Sequence, residues 1–351
     1  MSVRLTRMSQ PQRARTLVPV LLATALALPL LSPVARACGA FFHVRAIAPE
    51  QRPSLAREKV LIIHDAVRGQ QHFIREVAFR KADESFGFVV PTPTRPEVAE
   101  VATNPFTKLR ERFPFAPAPR VATLGTGNAY GEPSGSWEGV EVLSTEKIGS
   151  FTAFVLAATD ATALAGWLKA NELSSTHETE QWLDHYVRMR FYYVAMRYDP
   201  PAKPGSAKDP AIAAETIRIS FATPVAYYPY FEPQRAASSE PRLLELWYVG
   251  SEPVIPVARK HERTWLRPLK PGKDYERKRK QVEAALNDEL ESLLPDGELV
   301  VQTFQDQKRQ RSGYHDILFA FAQPKQLTAE QLAALEPLLG VLDPELIEER
   351  P

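Results

Sequence analysis

The chain has 351 residues, with 43 Lys or Arg against 42 Asp or Glu, 44% hydrophobic content and a single cysteine. The balanced charge excludes the basic excess by which a nucleic-acid partner usually shows itself, and the apolar content excludes a disordered chain. One cysteine excludes an intramolecular disulfide, so stability rests on packing.

The N-terminus places Arg4, Arg7, Arg13 and Arg15 ahead of an apolar stretch, Leu17 to Leu31, interrupted only by Pro19, Thr24 and Pro29. A membrane anchor needs about 20 apolar residues to cross the hydrocarbon layer, and this stretch has about 15 and two prolines. Ser32 and Pro33 break the helix, and Ala35 and Ala37 supply the small residues that a signal peptidase accommodates. The pattern predicts a signal peptide over 1–37, cut to leave Cys38 first. The mature chain is then exported, periplasmic or secreted, without a transmembrane segment. Lipidation at Cys38 is the rival use of the region, but Ala35 and the charged Arg36 replace the aliphatic residue and small neighbour that a lipoprotein signal carries. Removal of 1–37 takes away five arginines and no acid, which leaves 38 bases against 42 acids.

Along the mature chain, Glu58 to Asp65 and Gln71 to Arg80 read as an antiparallel strand pair. Ser85 to Val90 reads as a third strand, running into a proline-rich, solvent-facing segment, Pro91 to Pro96. Asn104 to Phe113 reads as a short helix with Pro105 at its first position, and Pro114 to Gly135 as a long surface loop. Val140 to Ile148 and Phe151 to Ala158 are strands joined at Gly149, followed by a helix capped by Asp160. Ser175, three residues before Glu178, predicts a capping box for a second helix whose stripe is Trp182, Leu183, Tyr186 and Val187. Phe191 to Tyr198, Thr216 to Phe221 and Leu243 to Val249 are further strands, with Asp199 to Pro210 a polar loop.

The last third is polarised: residues 259–280 hold ten bases against three acids, and 281–298 hold six acids and no base. Asp274 predicts the cap of a helix with Val282, Leu286, Leu290 and Leu293 on one stripe. Strands over Glu298 to Phe304 and Asp316 to Phe321 follow, and a helix over Thr328 to Leu339 closes the chain. Strands and helices without regular alternation predict an α+β fold of mixed, mainly antiparallel sheets with several short helices. The expected domains are a main α+β domain over 38–257, with a loop-rich boundary near 114–137, and a C-terminal extension over 258–351.

Three pieces in this order carry a resemblance: Ala37 to Phe42, Phe86 to Pro93, and Gly149 to Asp160 with Leu164 to Leu168. Together they resemble the bacterial family known as domain of unknown function 2330, over about residues 37–230. Ala40 and Gly87 depart from the pattern, which has glycine and tryptophan there. The resemblance implies export and a shared domain and brings no activity.

Motifs of chemistry are mostly broken. His177-Glu178 is followed by Gln181 where a zinc helix needs its second His, and His185 lies about 12 Å along the helix from His177. Gly125-Thr126-Gly127 lacks the third glycine of a dinucleotide loop. No metal or cofactor is expected. Asp184-His185 has the pairing that orients and polarises a base, but among the serines none is singled out as its nucleophile. Cys38, exposed by cleavage, joins a thiol to a free α-amine, the arrangement of an N-terminal-nucleophile amidohydrolase. The favoured expectation is a non-catalytic envelope protein that binds a partner. Its surface candidates are the proline-rich segments, the aromatic run Tyr227 to Phe231, and the basic Arg277, Lys278, Arg279 and Lys280 for anionic envelope components or another envelope protein.

Overall fold

Val60, Leu61, Ile62 and Ile63 follow one another without a polar break, a run that a strand can bury only if both of its faces are covered. In the computed structural model Val60 and Ile62 enter one hydrophobic core, and Leu61 and Ile63 enter a second on the opposite face. The structure describes residues 40–43, 54–80, 86–115, 139–173, 176–198, 211–213, 216–233, 243–259, 265–266, 269–276, 279–307, 315–323, 328–331, 333–334 and 338.

Among these residues the elements run β1 (Ala40–His43), β2 (Ser54–Asp65), β3 (Gln70–Arg80), β4 (Phe86–Thr92), β5 (Glu97–Glu100) and α1 (Phe106–Arg112). Then come β6 (Val140–Ile148), β7 (Phe151–Ala158), α2 (Ala161–Ala170), α3 (His177–Arg188) and β8 (Tyr192–Tyr198). β9 (Ala211–Ala213), β10 (Ile217–Ala222), β11 (Ala226–Tyr228), β12 (Leu243–Gly250), β13 (Val254–Arg259) and β14 (Trp265–Leu266) follow. The last are β15 (Lys270–Glu276), α4 (Arg279–Glu283), α5 (Asp288–Glu291), β16 (Val300–Asp306) and β17 (Ile317–Phe321). The fold is α+β. One sheet has the order β1-β4-β8-β7-β6; the second is β15-β16-β12-β2-β3-β10-β5 with β9 on β3; the third is β11-β17-β13-β14. Neighbours are antiparallel except β12 and β2, which run parallel.

The layers follow from which face each side chain takes. Trp167 of α2 meets Phe154 of β7 edge to face at 5.2 Å, so α2 covers one side of the five-stranded sheet. On the other side Phe88 lies under the Arg75 guanidinium, 4.6 Å from the ring centroid, and faces the large sheet. The far side of the large sheet is closed by Phe106 of α1, against Trp247, and by Val282 and Leu290 of α4 and α5. Helices, sheet, sheet, helices is the resulting order. Strands β15 and β16, from beyond residue 258, continue the sheet through β12, and β17 pairs with β11 and β13.

Charge enters both cores in compensated form. Arg75 pairs with Glu58 at 2.9 Å, both nearly fully buried, Lys59 pairs with Glu76, and Arg110 with Glu245. A buried charge left alone would cost several kcal/mol, so each of these strands depends on its neighbour's counter-charge.

Several expectations are corrected. Pro91 is not on a solvent-facing course: it lies in β4 opposite Tyr193 and is buried, as are Thr92 and Pro96. Pro91 lacks the N–H for one ladder bond, and it lies two residues beyond Val89, which pairs with Ala40 of β1. Asp274 caps no helix; it sits in β15 opposite Gln302, whose amide donates to it. The expected long helix is divided, because Asn287 caps a new turn by accepting from Leu290 N–H at 3.0 Å. Asp288, Glu289 and Glu291 therefore lie in the first turn of α5, where the helix dipole favours acids. α3 begins after Thr176; Ser175, residues 116–135 of the loop expected from Pro114 to Gly135, and residues 199–210 lie outside the described residues. Gly87 is required by this packing, since a Cβ there would lie 2.2 Å from the Leu173 side chain and 2.4 Å from the Met196 carbonyl.

Candidate ligand-binding cavity

At one end of the five-stranded sheet three chain segments leave a cavity of about 730 Å³, within the size range of small-molecule sites. Val140 and Glu141 of β6, with Gly139 before them, form one wall, Ala157 and Ala158 of β7, with Thr159 after them, a second, and Val187, Arg188, Arg190, Phe191 and Tyr192, where α3 gives way to β8, the third. Gly139 has φ +91°, and its carbonyl accepts from Thr159 N–H at 3.1 Å, which holds the two strand ends side by side.

The third wall is made by how α3 stops. Phe191 N–H donates to the Tyr186 carbonyl at 3.1 Å and Arg190 N–H to the Val187 carbonyl at 2.9 Å, the paired bonds of a Schellman motif. The residue between helix and strand must then be left-handed, and Arg190 occupies that place with φ +56° where glycine is the unstrained choice. Its side chain is exposed at the cavity and makes no hydrogen bond or ion pair among the described residues. Arg188 beside it is paired with Asp184, one turn back, at 2.9 Å. Glu141 is the acid of the lining and is exposed.

Two further polar arrangements were not foreseen from sequence. Asp316 is buried and accepts from Tyr186 Oη at 2.8 Å, Tyr227 Oη at 2.7 Å and Phe231 N–H at 2.7 Å. Burial pushes its carboxyl up to about 6 against the pull of those bonds, and the same burial pushes both tyrosines far up, so they remain donors. Ser220 Oγ lies 2.8 Å from His72 Nδ1, a serine and imidazole in contact on neighbouring strands. Burial, then the Arg218 charge, pushes His72 down to about 4, too weak a base to activate a hydroxyl near neutral pH. Arg218 also donates to the same Oγ, and the nearby Asp65 carboxylate is taken up by Val67 N–H, Arg68 N–H and the Arg68 guanidinium. The contact joins β3 to β10.

The sequence-derived candidates fare unevenly. Ala35, Ala37 and Cys38, with Arg277 and Lys278, lie outside the described residues. Lys280 is exposed, whereas Arg279 is half-buried and bound to the carbonyls of Gly297, at 2.6 Å, and Pro295 and to Glu283. His177 meets Gln181, and His185 packs between Tyr186 and Phe231. Tyr227, Tyr228 and Tyr230 are fully buried, so the aromatic run is core. Among the described residues no three His, Cys, Asp or Glu side chains are grouped to hold a metal, and no helix is long and apolar enough to cross a membrane.

A family model described as an uncharacterized protein conserved in bacteria, DUF2330, matches residues 32–249. The chain belongs to the DUF2330 family. The match contains β1 to β11, β12 as far as Val249, and every residue lining the cavity. No protein among curated sequences matches it. The crystal structure of baculovirus P35 is similar over 78% of this chain and 98% of its own, at 7% identity and a TM-score of 0.34.

Proposed function

We propose that this DUF2330 protein is exported and acts as a non-catalytic binding protein of the bacterial envelope, with the cavity beside α3 as its ligand site. The cavity carries the proposal: it joins an apolar wall of Val140, Ala157, Val187 and Phe191 to exposed arginines. That is the composition by which binding sites combine affinity with orientation. The polar groups elsewhere that resemble catalytic ones are committed to structure, Asp316 to two tyrosines and His72 to a weakly basic contact with Ser220. The N-terminal pattern supports export, with residues 1–37 removed and Cys38 first. Native mass spectrometry of protein purified from the envelope fraction tests the site. A bound small molecule is expected on the wild type and absent from Ala157→Trp; adducts on neither, or equally on both, contradict it.

A second reading has one observation in its favour. β1 begins two residues after Cys38 and lies at the edge of one sheet of a helix, sheet, sheet, helix arrangement. An N-terminal-nucleophile amidohydrolase built on Cys38 needs such layers. It predicts that alkylation of the mature thiol abolishes an amide-cleaving activity, and retention of that activity after alkylation excludes it.

A further inference from the structure

We infer that the cavity takes an anionic amphiphile, an apolar body ending in an oxyanion, and that Arg190 is the residue that selects the anion. This rests on the reading of the cavity as a binding site and adds the class of ligand. The lining is divided by chemistry: Val140, Ala157, Ala158, Val187 and Phe191 offer hydrocarbon, while the charged groups Glu141, Arg188 and Arg190 stand at the strand and helix ends. Of the two cations, Arg188 is already paired with Asp184. Arg190 has no partner among the described residues and is exposed, so its guanidinium is the group left to meet a ligand. A planar fork of donors suits carboxylate or phosphate oxygens, which accept two parallel bonds from it.

The backbone gives an independent reason to assign Arg190 a role. A cation near the end of α3 also complements the helix dipole, but Arg188 in the last turn meets that need with ordinary helical backbone. Arg190 lies beyond the last turn at φ +56°, a conformation that disfavours any side chain with a Cβ and that glycine would adopt freely. Retaining an arginine there costs stability that the termination of α3 does not require. Strain of this kind clusters at ligand sites, and at Arg190 it coincides with the cavity wall. Glu172 ends α2 in the same conformation, φ +65°, but does not line the cavity.

The substitution that tests this is Arg190→Gly, because it removes the guanidinium while relieving the backbone, so loss of folding does not confound it. Full mature protein is titrated calorimetrically with decanoate, decyl phosphate and decanol, in wild type, Arg190→Gly, Arg190→Lys and the cavity-filling Ala157→Trp. Wild type is expected to bind at least one of the two anions about tenfold or more tighter than decanol, as a charge-assisted contact implies. Arg190→Gly is expected to bring that anion to the level of decanol, and Arg190→Lys to restore part of the difference. Whichever anion is preferred separates a carboxylate from a phosphate ligand. If decanol binds as tightly as both anions and Arg190→Gly changes nothing, while Ala157→Trp abolishes binding, the cavity is a site but the anion assignment is wrong. Binding of all three probes unaffected by Ala157→Trp overturns the cavity itself.

Discussion

Tyr186, in α3, donates a 2.8 Å hydrogen bond to Asp316, 130 residues further along the chain and immediately before β17, and so ties the helix that borders the cavity to the entry of the third sheet. Tyr227 of β11 donates to the same oxygen at 2.7 Å. Three elements thus converge on one buried carboxyl, which makes it sensitive to pH.

The carboxyl of Asp316 is raised in the fold from 3.8 to about 6, chiefly by burial. A raised acid contributes stability that is full below about 3.8 and lost as pH rises through about 6. His72 works the other way, lowered from 6.5 to about 4, so its contribution is full above about 6.5 and lost as pH falls towards 4. The two oppose each other across one window, and the wild-type melting temperature is expected to vary little between pH 4 and 6.5. Asp316→Asn should make the protein lose stability on acidification, and His72→Gln should make it gain. Identical pH profiles for all three proteins contradict the assignment; His185 and His315, common to all, cancel in the comparison.

Trp182 and Trp167 are almost equally buried, at 1% and 2% exposure. Among the described residues only the Trp182 indole adds a hydrogen bond, from its N–H to the Phe231 carbonyl at 3.0 Å. Either change to Ala is expected to cost about 3 to 5 kcal/mol. Trp182→Ala should cost about 1 kcal/mol more, because the Phe231 carbonyl loses its donor. Denaturant unfolding measures both, and a loss under 1 kcal/mol at either position would place that indole outside the core.

The basic cluster divides into separate roles. Arg279 holds the Gly297 and Pro295 carbonyls and Glu283, so Arg279→Gln is expected to destabilise by about 1 to 2 kcal/mol. Lys280 is exposed, and Lys280→Gln should leave stability unchanged within about 0.5 kcal/mol. If these residues attach the protein to anionic envelope components, changing Arg277, Lys278 and Lys280 together to Gln should weaken co-sedimentation with anionic vesicles, most at low salt. Equal sedimentation of variant and wild type at low salt removes that role.

For export, Ala37→Asp is expected to block processing, because the peptidase accepts small uncharged side chains on either side of Arg36. The mass of the protein in the envelope fraction reports this. A wild-type mass that retains residues 1–37, or an Ala37→Asp protein that is still trimmed to Cys38, contradicts the cleavage site.

Local signals carried much of the fold. The β6–β7 hairpin was legible from its apolar runs and Gly149, which has φ +51° in a two-residue turn, and α2 from Asp160, whose carboxylate accepts from Ala163 N–H. Asp274 misled because an Asp before a charged, amphipathic run is a helix signal, whereas its strand exists only through pairing with β16, where its partner Gln302 lies 28 residues later in the chain. Pro91 misled for a similar reason, since its place in a strand comes from pairing with Tyr193 of β8, far along the chain. The site was the least legible. Its walls come from three separate segments, and nothing in the run Arg188-Met189-Arg190 distinguishes an arginine in a left-handed turn from one on a helix surface. Asp316 was read only as the start of a strand, because the two tyrosines that meet it lie 130 and 89 residues away.

The most direct test of the binding account is a map of amide resonances in isotope-labelled mature protein as decanoate is added to saturation. The account predicts shifts at Val140, Ala157, Thr159, Arg190 and Tyr192, with the amides around Lys280 unmoved. Saturable binding that moves none of the five, or that moves only residues remote from them, contradicts it.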